Sequence, residues 1–160
     1  MKSLNVLVAA LMLAGVVAAQ AQALRPEVGK PLQQASDLLR AGKAREALAK
    51  VREAEAVSGK SGAEQLMIDR MKGSAAQRAG DNGAAIQAFE SVFPRVSGGE
   101  AAQVAESLAF AYSQAKDWAK TGQWIQKAQS LGSGSAQLKQ LQAYVQSQSG
   151  DYSAIARDAG

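Results

Sequence analysis

Residues 73–92 read GSAAQRAGDNGAAIQAFESV and place a sharp turn, Gly80-Asp81, between two alanine-rich stretches. Alanine has the highest helix propensity of the amino acids, so both stretches favour helix. Glycine suits the left-handed conformation in which many helices end, and an aspartate after it can accept hydrogen bonds from the free N–H groups of the next helix. We therefore predict a hairpin of two helices, residues 61–79 and 82–93.

A turn of the same kind recurs along the chain, with spacings of 38, 36 and 34 residues. Asp117 and Asp151 follow two of the other turns and are expected to act as helix caps, as Asp81 does. The turn markers are Gly42, Gly80, Lys116 and Gly150. Four helix pairs follow from this pattern: 28–41 with 44–57, 61–79 with 82–93, 99–115 with 117–130, and 134–149 with 152–158.

Small and large residues stand at fixed distances from each turn marker, as close packing of two helices requires. A small residue lies seven positions before the marker, further small residues lie five and twelve positions after it, and a large residue lies between those two. The positions before the marker are Ala35, Gly73, Ala109 and Ala143, those five after it are Ala47, Ala85 and Thr121, and those twelve after it are Ala54, Val92 and Ala128; Val51, Phe89 and Ile125 are the large ones. Ile155 departs from the pattern.

Composition excludes several kinds of chemistry. The chain has no cysteine and no histidine, which removes disulfides, thiol nucleophiles and the commonest general base and transition-metal ligand. Few aromatic residues and abundant alanine favour an all-α fold rather than a β fold. The net charge is +4 and the charges are interleaved, which does not favour a nucleic-acid partner. We expect a protein that is not an enzyme and carries no metal or cofactor.

The N-terminus has the three parts of a secretory signal: Lys2, an apolar stretch over residues 4–17, and small residues at Ala21 and Ala23. We place the cleavage after Ala23, so that Leu24 begins the mature chain; a cut after Ala21 is the alternative. An uncleaved anchor is disfavoured because a spanning helix needs about 20 apolar residues. The expected location is periplasmic or secreted, with no stable membrane span after cleavage.

A period near 34 with a helix on either side of each turn is typical of tetratricopeptide repeats, and from about Val28 to its end the chain resembles that family. The secretory signal followed by Gly29-Lys30-Pro31-Leu32 resembles exported repeat proteins of Gram-negative bacteria. The resemblance implies an α-solenoid of antiparallel helix pairs over residues 24–160. Three pairs are complete and one is truncated, in repeats of approximately 28–60, 61–98, 99–133 and 134–160.

In the family, the first helix of each pair lines a concave face that holds peptides. The resemblance therefore implies a peptide-binding groove formed by Arg70, Ser74, Gln77, Arg78, Glu106, Phe110, Ser113, Gln114, Gln140 and Tyr144, with Met67 beside them. The arginines would hold a carboxylate or backbone carbonyl groups. Phe110 and Tyr144 occupy equivalent positions and are expected to form an aromatic platform. The alternative is that these polar residues merely solvate a helix face.

The expected function is a non-catalytic scaffold or adaptor of the bacterial cell envelope that holds a protein or peptide partner. The alternative is a structural element that self-associates, or joins a larger envelope complex, through its open C-terminal end. That end is predicted because the chain finishes at Gly160 before the last helix completes its pair, and a repeat array normally needs a polar cap. The chain could also be a shortened piece of a longer array.

Overall fold

The computed structural model describes residues 24–148, and every regular element in that range is helical. The signal residues Ala21 and Ala23, the turn at Gly150 and the last predicted helix lie outside the described residues. The helices are α1 (Pro26–Arg40), α2 (Ala44–Glu55), α3 (Gly62–Ala79), α4 (Asn82–Val92), α5 (Gly98–Gln114), α6 (Trp118–Ser130) and α7 (Ala136–Gln148). The prediction of an all-α fold is confirmed, and the described helices begin and end within two residues of the predicted bounds.

Three of the predicted turns join helices that pack against each other: α1 with α2, α3 with α4, and α5 with α6. The markers adopt the left-handed conformation, with φ of +76° at Gly42, +77° at Gly80 and +61° at Lys116. A two- or three-residue connection lets adjoining helices pack along their lengths only if the chain reverses direction. The backbone of Lys116 therefore does what glycine does in the other two turns, despite its side chain.

Aspartate side chains cap two of the helices as the sequence predicts. The carboxylates of Asp81 and Asp117 accept hydrogen bonds from the backbone N–H groups of Ala84 and Lys120, each at 3.1 Å. Such caps satisfy donors that a helix N-terminus otherwise leaves free. Asp151, the third predicted cap, lies outside the described residues.

At the start of α3, Ser61 and Glu64 form a reciprocal capping box. Glu64 is buried, and its carboxylate also accepts hydrogen bonds from the backbone N–H and the Nε of Arg25, each at 3.2 Å. The hydrogen bond from the Ser61 backbone, followed by those from Arg25, lowers the pKa of Glu64 to about 2. Arg25 also donates to the carbonyl oxygen of Ser58 at 3.1 Å, so the residues that precede α1 are tied to the start of α3.

The repeated small and large positions are buried between the paired helices. Gly73 illustrates why a small residue is needed there, because the ring of Phe89 lies directly over its Cα. Ala143 is the exception and is exposed; the helix predicted to pack on it lies outside the described residues. The buried positions are Ala35, Ala47, Val51, Ala54, Gly73, Ala85, Phe89, Ala109, Thr121, Ile125 and Ala128.

Each helix packs mainly against its neighbours in the chain, and α1 also contacts α3. One apolar core lies among α1 to α5 and a second among α5, α6 and α7. Phe93 and Trp124 pack against both cores, with their ring centroids 5.0 Å apart and their planes at 81°. Phe93 belongs to a short 3₁₀ turn, Phe93–Arg95, which contains Pro94 and follows the end of α4. No described helix is long and apolar enough to cross a bilayer.

Candidate functional site

The predicted groove residues of α3 occupy one face of that helix. Because a residue advances an α-helix by about 100°, Met67, Arg70, Ser74 and Arg78 fall on the same side. Ser74 and Arg78 are exposed, and Arg70 is half-buried. Met67 is also exposed, with 39% of its surface accessible. We call the side of α3, α5 and α7 that carries the predicted residues the groove face.

Arg70 makes a two-pronged ion pair with Glu100 in the first turn of α5. Its Nε lies 2.6 Å from Oε1 of Glu100, and its Nη2 donates to Oε2 at 2.9 Å. The Nη2 contact is a charge-assisted hydrogen bond, whereas the Nε contact adds electrostatic attraction without forming a hydrogen bond. The guanidinium that was expected to hold a ligand carboxylate is therefore bound to a carboxylate of the chain itself. Its evident effect is to join α3 to α5.

Arg78 extends from the other end of α3 toward the preceding helix pair. Its Nη1 donates to the carbonyl oxygen of Leu39 at 3.5 Å, at the C-terminal end of α1. This contact is long and exposed, so it contributes little to stability. Together, Arg70 and Arg78 link the first helices of three successive pairs side by side. Gln77, one residue away, is half-buried.

Glu106 on α5 also has partners within the chain. Its two carboxylate oxygens accept hydrogen bonds from the hydroxyl groups of Ser133 at 2.7 Å and Ser135 at 2.6 Å. The hydroxyl oxygen of Ser135 in turn accepts the backbone N–H of Leu138 in the first turn of α7, at 3.1 Å. Glu106 thus fixes the loop that leads into α7, a connection that the sequence pattern did not reveal.

The remaining predicted residues of α5 differ in exposure. Phe110 is half-buried and packs against the second core. The Ser113 hydroxyl donates to the carbonyl oxygen of Phe110 at 2.7 Å, within its own helix. Gln114, at the end of α5, is exposed. Of these three side chains, Gln114 is the most accessible to a partner.

On α7, Gln140 is exposed and Tyr144 is 51% exposed. The Tyr144 ring packs edge-on against Trp118 at the start of α6, with centroids 5.5 Å apart and planes at 69°. The expected aromatic platform paired Tyr144 with Phe110, but the described ring contact pairs it with Trp118. Repeat alignment could not find this pair because Trp118 belongs to a second helix rather than a first one.

Comparison with known proteins adds no relative: no family model, no curated protein and no solved structure matches this chain. The groove face is therefore described from the exposure and contacts of its own residues alone. The sequence did not predict the partners of its residues, among them Glu100, Ser133 and Ser135. An acidic residue in the first turn of a helix, as Glu100 is, could have suggested a partner for Arg70.

Proposed function

We propose that this chain is a tetratricopeptide-like α-solenoid of the bacterial cell envelope, which binds a peptide segment of a partner protein on its groove face without catalysing a reaction. Three features support the solenoid: left-handed turns at matching positions, buried small residues at matching positions, and packing that runs from each helix to the next. Such arrays stack repeated hairpins and offer an extended surface for binding.

The observation that carries the binding proposal is the exposure of apolar side chains on the groove face. Among the described residues, Met67, Leu131 and Tyr144 are the exposed large hydrophobic residues. Two of these three occupy positions that repeat alignment assigns to the groove. A partner that docks on the groove face would bury these apolar side chains, and burial of apolar surface favours protein–protein association.

The charged groove residues have a supporting role in this proposal. Arg70 is held by Glu100, and Glu106 is held by Ser133 and Ser135, so these residues set the spacing of the first helices. Binding would then depend on Met67 and Tyr144 as apolar anchors and on exposed polar groups such as Ser74 and Gln140. Ordered supporting contacts reduce the conformational entropy that a binding surface loses on complex formation.

Site-specific photocrosslinking tests the proposal in the source organism. A photoreactive amino acid replaces Met67, Tyr144 or Leu131 in turn, and crosslinked products are identified by mass spectrometry. We expect the same partner from positions 67 and 144 and none from position 131, which is equally apolar and exposed but lies outside the groove face. Products that do not depend on position would refute a groove-specific partner.

The same experiment separates the alternative function. A product whose mass equals two copies of the chain would favour the structural element that self-associates. Export is tested by releasing the periplasmic contents and measuring the mass of the intact protein. We expect a chain that begins at Leu24, and a chain that retains Met1 in the cytoplasm would contradict the envelope location.

A further inference from the structure

A second polar site lies on the opposite side of α3 from the groove face. Gln65, Asp69 and Lys72 are spaced at i, i+4 and i+7, so they share one face of the helix. Gln65 and Ser74 are nine residues apart and point in opposite directions. The face that carries Gln65 lines a cleft of about 250 Å³ between α2, α3 and α4. We call this the polar cleft.

Two charged side chains of the polar cleft are buried. Asp69 is 6% exposed and Lys72 is 9% exposed, although aspartate and lysine are among the residues least often buried. Both are partnered, because the Lys72 ammonium lies 2.7 Å from Oε1 of Glu55, and Asp69 accepts hydrogen bonds from Gln65 at 3.0 Å and Ser91 at 2.9 Å. Buried ion pairs usually stabilise a fold no better than apolar residues of similar size. Stability alone therefore gives a weak reason for these charges.

The charges of the polar cleft balance, and they pair within the chain, Lys72 with Glu55 closely at 2.7 Å and Arg95 with Asp69 loosely at 3.7 Å. Glu55 and Asp69 are anionic, and Lys72 and Arg95 are cationic, so the cleft suits neither a simple anion nor a simple cation. Its volume is below the about 300–1,000 Å³ of pockets for drug-sized ligands. A ligand that matches it is small, polar and carries both charges.

Arg95 and Glu55 are the groups whose bonding capacity is least used by the chain. The Nη1 of Arg95 is 3.7 Å from Oδ2 of Asp69, and its Nη2 is 3.4 Å from Oγ of Ser91, both long contacts. Its side chain is 39% exposed, so its planar fork can meet a carboxylate. Of the two carboxylate oxygens of Glu55, Lys72 contacts Oε1. The Glu55 side chain is 32% exposed, and its Oε2 can accept a hydrogen bond from an ammonium group.

Two glutamine side chains complete the lining. Gln65 donates its amide N–H to Asp69, and Gln87 accepts from Lys72 with its amide oxygen at 3.3 Å. Each amide therefore keeps its other group, an acceptor on Gln65 and a donor on Gln87, for a polar side chain of a ligand.

We propose that the polar cleft binds a free α-amino acid, with Arg95 holding the carboxylate and Glu55 holding the ammonium group. Buried Asp69 contacts Arg95, and buried Lys72 contacts Glu55, so these two residues position the ligand-binding groups. This site is separate from the groove face and does not depend on the peptide-binding proposal.

Isothermal titration calorimetry on the purified protein tests this site. The probes are glycine, L-alanine, L-serine and L-glutamine, with propionate and ethylamine as analogues of alanine that lack one of the two charged groups. We expect saturable binding of at least one amino acid and none of either analogue. Absence of binding by all four amino acids, or equal binding of propionate, would overturn the proposal.

Two variants assign the binding to the cleft. Arg95→Gln should weaken amino-acid binding by about tenfold or more, because it removes a charge-assisted hydrogen-bond pair. Arg52→Gln is the matched control, since Arg52 is an exposed arginine paired with Asp81 outside the cleft, and should bind as the unaltered protein does. Unfolding curves establish that both variants are folded. Equal binding by the Arg95→Gln variant and the control would show that the cleft is not the site.

Discussion

A Cβ atom added to Gly73 would lie 2.5 Å from Cε1 of Phe89. The Phe89 ring on α4 therefore occupies the space that a larger residue at position 73 of α3 would need. The contact explains why the repeat demands a small residue at this position. It also makes glycine, normally a weak helix former, the better residue here. The gain from tight packing outweighs the loss of helix propensity.

Gly73→Ala should therefore destabilise the protein, by about 1–3 kcal/mol, because overpacking forces the ring or the helices apart. Gly122→Ala in α6 is the matched control, since nothing lies within 4 Å of a Cβ there. That substitution should stabilise the protein by about 0.5–1 kcal/mol through helix propensity alone. Urea unfolding measures both, and changes of the same sign would contradict the packing argument.

Lys116→Gly should stabilise the protein by about 0.5–1 kcal/mol. The φ of +61° at Lys116 strains a residue that has a Cβ, and glycine relieves that strain while adding some freedom to the unfolded chain. Gly80→Ala at the equivalent turn should have the opposite effect. Thermal unfolding of both variants measures the difference, and a lower midpoint for Lys116→Gly would show that the turn is not strained.

Acid should remove the stabilisation that Glu64 provides. Its pKa is lowered from 4.5 to about 2 by hydrogen bonds to the ionised carboxylate, so the contribution is complete above pH 4.5 and is lost as the pH falls toward 2. Glu64→Gln should be less stable at pH 7, and its stability should fall less between pH 4.5 and pH 2. Urea midpoints across this range test it, and an unchanged pH dependence would contradict the role of Glu64.

Alkali should reduce the stability of the fold through Tyr112, whose hydroxyl donates a hydrogen bond to the carboxylate of Glu90. Burial, and then this hydrogen bond, raise the pKa of Tyr112 from 10.0 to about 12. The stabilisation is complete below pH 10 and disappears as the pH rises toward 12. In a spectrophotometric titration, we expect a late tyrosine transition that is absent from the Tyr112→Phe variant. If the variant kept that transition, another tyrosine would be responsible for it and the role of Tyr112 would be contradicted.

The helices and turns could be predicted because their signals are local. Gly80 and Asp81 mark a helix end and the next helix start within two residues, and the small and large positions repeat at fixed offsets. The partners of the groove residues could not, since Arg70 meets Glu100 from 30 residues away. Burial of Asp69 was equally hidden, because its partner Ser91 lies on another helix and nothing in the local pattern distinguishes it from a solvated aspartate.

Packing of each described helix mainly against its sequence neighbours also bears on how the chain reaches this structure. Contacts between residues close in sequence require little loop closure, so folding can begin in any hairpin and proceed on the order of microseconds to milliseconds. A single hairpin such as α3–α4 can form before the others exist. During synthesis from the N-terminus, each hairpin can therefore fold as it emerges, without waiting for a distant segment.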